Sequence, residues 1–457
     1  KLFFRKNMNQ PKNLFQDLDK EKIEYVIWKN CNLIDDFFKG NENLDIYIDQ
    51  KQKKEFESII RENLWVEVKS TTINHRNIHH YLSINNEKIY HIHVYFRMFT
   101  GNSITKNYDL TGLYDYFENK NFDTKNNLWI MDFKLQLELF KIRMACKRKS
   151  FLGRFLIHRD LDNYVKELQL LINNSKYEKN LIFSKIKIDK EKIKFYNKSD
   201  PKKILNHIVN YKRFNEFISL LFEIKFLLKV LINKIFKYKK FRFKKKVYIF
   251  ISGADSSGKT TLINDYEKLF SKYFKTKIYN IGKPFPQFLS TLFIKKKKIP
   301  NHNKKEINIL KIFKNIILGL FRYVYSLSIF YFHGKTNIFL LDRYVSELPG
   351  HINGPRSKQS EDLSRLKQIM FLVESYFYKL IKTINIEFRL ITTIDTCLKR
   401  NKERLKKTKE SDDEIIIRHK LFSKSKFKSQ KVIELNNDSN KNKPIYDIIK
   451  ILVNDLN

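Results

Sequence analysis

Cysteine, glycine, proline and acidic residues are all in short supply along these 457 residues. The three cysteines, Cys31, Cys146 and Cys397, lie far apart and form no C-x-x-C pair. That excludes a disulfide framework and a cysteine-built structural zinc, and it suits a reducing, cytoplasmic setting. With 11 glycines and 8 prolines, the chain has no room for Gly/Pro-rich low-complexity tracts, so any local cluster of glycines carries information. Long uncharged apolar runs are also missing. The opening KLFFRKNMNQ holds no apolar core of signal-peptide length. Residues 214–236 are interrupted by Glu223, Lys225 and Lys229, and residues 307–332 by Lys311, Lys314 and Arg322. Both fall short of the roughly 20 charge-poor residues a membrane span needs, and both are expected to be amphipathic helices.

What is there is lysine. Lys and Arg number 90 against 49 Asp and Glu, a formal charge of +41. An excess of Lys, Asn, Ile, Phe and Tyr over Ala and Gly marks an AT-rich composition, which accounts for much of that charge. The rest fits a phosphate ligand or a polyanionic partner, with peripheral contact to an anionic membrane face or a glycan, and no sequence-specific nucleic-acid binding is expected. An apolar fraction of 42% and an aromatic fraction of 14% suffice for real cores in two or three domains.

The most informative run is VYIFISGADSSGKTT, residues 247–261. A β-branched and aromatic strand is followed by G-x-x-x-x-G-K-T and then by TLINDYEKLFSKYF, which has helical spacing. Between a strand and a helix, Gly253 and Gly258 let backbone N–H groups of Ser256, Ser257 and their neighbours turn in on a polyphosphate. Lys259 would meet the β- and γ-phosphates, Thr260 would hold Mg²⁺, and Thr261 completes the loop's polar edge. ATP with Mg²⁺ is the expected ligand pair.

Around this motif the chain divides into four stretches. Residues 1–108 mix strands (44–48, 65–70, 79–84, 89–96) with a helix at 50–62, a small α/β module. Residues 109–236 read as mostly helical, including 128–147 and 201–236. The run KYKKFRFKKK, residues 237–246, is a basic linker, solvated or resting on an anionic surface beside the 214–236 helix. In residues 247–457, strands at 247–252, 276–281, 338–341, 386–392 and 432–435 alternate with helices. An α/β fold with a parallel sheet covered by helices on both faces is predicted there.

Further motifs in the last stretch narrow the chemistry. The strand IFLL ends in Asp342-Arg343-Tyr344, which puts a carboxylate where Mg²⁺ is held and a guanidinium beside it for a phosphoryl group. Asp255 lies inside the glycine loop, Lys283-Pro284 follows the second strand, and Arg322 stands twenty residues before Asp342. Gly334 precedes the Asp-Arg-Tyr strand, Leu398-Lys-Arg400-Asn-Lys-Glu-Arg404 opens a basic helix, and Leu435-Asn436-Asn437 closes the last strand. In this order these elements resemble the thymidylate kinase family of nucleoside monophosphate kinases over about half the chain. The resemblance implies a P-loop kinase fold in which Asp255, Lys283, Arg322 and Arg343 contact the acceptor. It also implies that Arg400 and Arg404 form a lid over the transferring phosphate and that Asn436 meets adenine. After Ser346 the chain reads Glu-Leu-Pro-Gly-His-Ile-Asn-Gly-Pro-Arg356, which is closer to thymidylate-kinase-like proteins found with bacterial surface-polysaccharide genes. The acceptor is therefore left open between a nucleoside monophosphate and a phosphorylated or sugar acceptor, with Glu347, His351 and Arg356 as candidates for choosing it.

Residues 23–96 resemble the minimal nucleotidyltransferase fold, through Gly40-Asn-Glu-Asn-Leu-Asp45-Ile-Tyr-Ile48. Where that superfamily places three carboxylates, this chain has Asn43, Asp45 and His93, too little negative charge for two divalent ions. His75, His79, His80, His91 and His93 cluster nearby, with His79 expected to face His91 and His93 across a hairpin. Three readings follow: an ATP-dependent phosphotransferase, a nucleotidyltransferase with a regulatory P-loop domain, or a non-catalytic, nucleotide-gated binder of polyanions or membrane surfaces.

Overall fold

Near-continuous apolar runs such as YVIWK and NLDIYI build a sheet that is buried on both faces. In a computed structural model, strands β1 (Tyr25–Lys29), β2 (Asn43–Ile48), β3 (Trp65–Ser70), β4 (Ile78–Asn85) and β5 (Lys88–Tyr95) form its centre. The structure describes residues 10–75, 77–85, 88–101, 104, 106, 108–112, 114–148, 151–175, 186–189, 192–195, 216–235, 239–282, 284, 309–332, 337–356, 364–403, 411–438, 444, 447, 448 and 451. Among these, helices and sheets alternate in a mixed α/β architecture that separates into two compact units, one ending at Lys244 and one spanning Lys245–Ile451.

In the first unit, Tyr25, Ile27, Leu44, Ile46 and Ile48 point to one face. There they pack on Leu14, Phe15 and Leu18 of helix Gln10–Lys20 and on Phe56 and Ile60 of helix Lys53–Glu62. The intervening Val26, Trp28, Tyr47 and Tyr95 point to the other face, against Leu135, Leu139 and Ile142 of helix Phe133–Arg148. A short pair, β6 (Phe99–Thr100) with β7 (Tyr108–Asp109), follows. The sheet then continues past residue 108. β8 (Lys120–Asp123) pairs with β9 (Leu128–Met131), and β9 runs parallel to β1. Residues 128–131, expected as the start of a helix, are therefore strand, and the helix begins at Phe133. A hairpin, β10 (Ile186–Asp189) with β11 (Lys192–Phe195), stands apart. The expected linker is corrected too: Phe241–Arg242 is β12, paired antiparallel with β3 at the sheet edge, with Phe241 and Phe243 buried. The full order is β12-β3-β4-β5-β2-β1-β9-β8. Helix Glu216–Ile235 exposes Leu220, Ile232, Phe222 and Val230, which at 3.6 residues per turn are spread around the whole helix, so it is apolar on more than the one face an amphipathic helix would show.

The second unit is built on five parallel strands in the order β14-β15-β13-β16-β17. These are β13 (Val247–Gly253), β14 (Thr276–Asn280), β15 (Ile338–Arg343), β16 (Ile384–Ile391) and β17 (Ser429–Asn436). β13 is central, its near-continuous apolar run matching burial on both faces. The chain fills one side of β13 with β14 and β15, then switches to the other with β16 and β17, and such a switch opens a crevice at the strands' carboxyl ends. Helix Lys259–Ser271 leaves β13 and buries Leu262, Ile263, Tyr266 and Phe270.

Helix Ile309–Leu327 packs against helix Arg365–Leu380, with Gly319 allowing close approach: a Cβ there would lie 3.2 Å from the Tyr378 ring. With the π-helical turn Ser328–Phe332 it forms the one segment among the described residues, Ile309–Tyr331, that is long and apolar enough to cross a membrane. That departs from the expectation that its charges disqualify it; 39% of its most apolar window is buried.

Candidate active site

The turn at the end of β13 needs left-handed backbone, and the chain supplies it at Ser256 (φ 66°) and Gly258 (φ 94°). Both glycines of the motif sit where a side chain would crowd the loop's own neighbours. A Cβ on Gly253 would lie 2.4 Å from Ser257 Oγ, and one on Gly258 would lie 2.7 Å from Asn437 Nδ2. Helix Lys259–Ser271 starts directly on Gly258, and the first turn of any helix leaves leading amides without intrahelical acceptors. Lys259 Nζ folds back on the loop and donates to the carbonyl oxygens of Gly253 (2.5 Å) and Ala254 (3.1 Å). Ser256 Oγ and Ser257 Oγ are buried with no hydrogen-bond partner, an unsatisfied polar pair of the kind that marks ligand sites. Thr260 and Thr261 stay exposed at the helix start.

The loop is braced from behind by a residue the motifs did not indicate. Glu387 on β16 is fully buried and accepts from Ser252 Oγ (2.6 Å), Arg389 Nε (2.9 Å) and Ser429 Oγ (2.9 Å), tying β13, β16 and β17 together.

Neighbouring strand ends bring other groups to the same edge. Leu341 pairs with Phe250, so Asp342 and Arg343 emerge beside the end of β13. Asp342 takes a long hydrogen bond from Asn280 Nδ2 at 3.4 Å. Arg343 is near enough for its charge to act on Asp255. Asp255 itself pairs with Arg418 of helix Asp412–Ser423 at 2.9 Å. Burial raises the Asp255 carboxyl, but the Arg418 hydrogen bond and the charges of Lys259, Arg418 and Arg343 outweigh it and hold the group below its ordinary range. Arg418 was not legible as a site residue, because the contact spans 163 positions.

Arg400, on helix Ile394–Lys402, comes to the loop. Its guanidinium donates to the carbonyl oxygens of Ser257 (3.3 Å) and Asn437 (2.6 Å). With Ser256, Gly258, Thr261, Asp265 and Asn437 it lines a cleft of about 260 Å³.

Two expectations are revised. Asn437, not Asn436, enters the site: it donates from Nδ2 to Ser257 O at 2.7 Å, while Asn436 is exposed and accepts from Asp438 N. Arg322 is 2% exposed and not poised for an acceptor. It donates to Gly282 O (2.8 Å), Asn353 O (3.0 Å) and Tyr378 Oη (2.6 Å), so it clamps two loops. Arg356 has an exposed side chain and an amide held by Glu374. Glu347 pairs with Lys428 (2.7 Å), and His351 accepts from Lys426 N. Lys283 and Arg404 lie outside the described residues.

In the first unit Asp45 is 1% exposed at the centre of the sheet. It is met by Lys29 Nζ (3.1 Å), His93 Nδ1 (3.0 Å), Asn30 Nδ2 (3.1 Å) and Asn43 Nδ2 (3.3 Å). Although burial opposes ionisation, Lys29 and His93 hold this carboxyl well below its usual range. Strand register places His80, not His79, opposite His93, because alternation turns His79 to the other face, onto Glu67 (2.9 Å). His80 stacks on His93 at 4.3 Å and meets His91 Nε2 at 3.0 Å through Nδ1. Burial first, then neighbouring positive charge, pushes His80 and His91 far down. Burial pushes His93 to about 4 against the pull of Asp45. No group of three or more His, Cys, Asp or Glu side chains among the described residues is arranged to hold a metal ion.

No family model matches this chain, and no curated protein matches it either.

Proposed function

We propose that this protein is an ATP-dependent phosphotransferase of the P-loop kinase type, acting on a small acceptor that carries a phosphate or a sugar hydroxyl. The observation that carries the reading is the loop Gly253–Gly258 between a central parallel strand and a helix start, with Lys259 inside it and Asp342 on the adjoining strand end. Bound ATP would supply the γ-phosphoryl group and Mg²⁺ would neutralise its oxygens. Thr260 and Asp342 offer a hydroxyl and a carboxylate oxygen, the hard ligands Mg²⁺ takes while keeping most of its waters. Lys259 would exchange the carbonyls of Gly253 and Ala254 for phosphate oxygens, and the buried hydroxyls of Ser256 and Ser257 would gain partners. The cleft beside Gly258 is of a size for a nucleobase, with Asn437 and Arg400 on its wall. Arg343, beside Asp342 at the same strand end, would orient the acceptor. Positioning and charge neutralisation would provide most of the rate.

Nucleotidyl transfer in the first unit is the weaker reading. Among the described residues Asp45 stands there without the further carboxylates that are needed, and Lys29 and His93 already compensate it. Phosphate transfer from γ-labelled ATP to a panel of nucleoside monophosphates and sugar phosphates decides the matter. Transfer that falls at least about 10³-fold in Lys259→Met and is unchanged in Asp45→Asn supports the kinase. Full turnover in Lys259→Met sinks it.

A further inference from the structure

Beside Asp45, the described residues of the first unit gather a buried arginine and three half-buried lysines, more positive charge than the carboxylates paired with them balance. Lys29 Nζ lies 4.7 Å from the Trp28 ring and 5.2 Å from the Tyr95 ring, and Lys106 Nζ stands 6.0 Å from that same Tyr95 ring. The Arg143 guanidinium lies 5.6 Å from the Trp28 ring, and Lys147, one turn along the same helix, bonds Tyr164 Oη. Two carboxylates answer these four cations. Asp45 pairs with Lys29, and Glu167 takes both its oxygens to Arg143 at 2.8 Å. Lys106 and Lys147 have no carboxylate partner among the described residues.

The hydrogen-bond inventory is lopsided in the same sense. Within this group Arg143, 7% exposed, keeps a buried Nε–H with no acceptor, and the buried Trp28 keeps an unpartnered Nε1–H. Unmet donors and unpaired ammoniums together describe a site that lacks an anion with several acceptor oxygens. A divalent cation is the wrong charge for it.

We propose that the amino-terminal unit binds a phosphoryl group directly, without a metal ion, in the cluster formed by Lys29, Lys106, Arg143 and Lys147. The ligand is a free phosphate chain or the phosphate tail of a nucleotide. This site is separate from the glycine loop of the second unit and does not depend on its function.

The titration behaviour follows from the groups facing the cluster: Lys29, Asp45, His93, Tyr95, Lys106, Arg143, Tyr164, Glu167 and Asp160. Burial, then the charges of Arg143 and Lys29, pushes Lys147 down to about 7, and burial with Lys29 and Lys147 drives Lys106 well down. An arriving phosphoryl group favours the charged forms, so binding above pH 7 takes up protons and weakens as pH rises.

The test is calorimetric titration of the full chain, in EDTA, with orthophosphate, pyrophosphate, AMP and ATP, at pH 6.5 and 8 in buffers of different ionisation enthalpy. Metal-free binding of pyrophosphate that persists in Lys259→Met is expected. It should weaken at least tenfold in Lys106→Gln and in Lys147→Met, with proton uptake at pH 8. ATP binding much more tightly than pyrophosphate identifies a nucleotide tail, and equal affinities identify a free phosphate chain. Unliganded Lys106→Gln and Lys147→Met should melt no lower than the parent, since neither substitution breaks an ion pair among the described residues. Binding that requires Mg²⁺, that disappears in Lys259→Met, or that ignores both lysine substitutions overturns the proposal, as does a lower melting temperature in both variants.

Discussion

Gly258→Ala is the substitution whose cost can be worked out most fully from the structure. At φ 94° an L-residue is strained by about 1–2 kcal/mol. The new Cβ would also sit 2.7 Å from Asn437 Nδ2, inside contact distance, so the Asn437 amide must leave. Its hydrogen bond to Ser257 O, 2.7 Å and buried, goes with it, a further loss of about 1 kcal/mol. The sum is about 2–3 kcal/mol, or roughly 5–10 °C in the melting temperature of a unit this size. Asn437→Ala alone costs about 1 kcal/mol, because Arg400 still donates to Ser257 O at 3.3 Å. In the double variant the displaced amide is already gone, so the two costs overlap and the pair falls short of additivity by about 1 kcal/mol. The assay must report on the second unit. Tryptophan fluorescence cannot, since Trp28, Trp65 and Trp129 all lie in the first unit; calorimetry or hydrogen exchange of β13 and β16 can. An unshifted transition in Gly258→Ala, or strict additivity in the double variant, would refute the account of how this loop is held.

Two other outcomes follow from charge. Glu167→Gln leaves Arg143 buried without its counter-ion and should destabilise the first unit by about 3 kcal/mol or more, read by the fluorescence of Trp28, whose ring the guanidinium approaches. Arg418→Ala should shift acid unfolding of the second unit. The Asp255 carboxyl is held below its ordinary value, so its contribution is fully present above the unfolded-state pKa of about 3.9 and is lost as pH falls through the lower folded value. The urea midpoints of parent and variant should differ by a constant amount above about pH 5 and converge below it; a difference that grows on acidification contradicts the pairing.

The parts of this fold that were legible in the sequence are those set by short-range period. β13, its glycine turn and the following helix occupy 25 consecutive residues, Val247–Ser271, and each is signalled by its own composition. The same rule explains a miss. In Phe241-Arg-Phe243-Lys244 the aromatic residues alternate with basic ones, a strand pattern, but the density of lysine around it reads as linker until β3 is seen to accept it. β9 was hidden for a different reason: Leu128–Met131 is four residues long and abuts a helix from Phe133, so the two periods merge.

Side-chain roles were harder to read than elements, because they depend on partners distant in the chain. Arg322 has the spacing of an acceptor-binding arginine, yet its partners Gly282 and Asn353 lie 40 and 31 positions away and turn it into a clamp. Asn436 and Asn437 differ by one step of a strand, and it is the bond from Asn437 N to Ile391 O that decides which of them turns inward. Asp45 makes the point most sharply. Its motif suggests a metal carboxylate, and its burial alone would favour the neutral acid. Lys29 arrives from β1, His93 from β5 and Asn30 from the turn after β1, and between them they keep it ionised while closing it to a cation. A carboxylate so enclosed serves the surrounding lysines as counter-charge. The electrostatic character of this cluster is therefore set by what converges on Asp45 rather than by Asp45 itself.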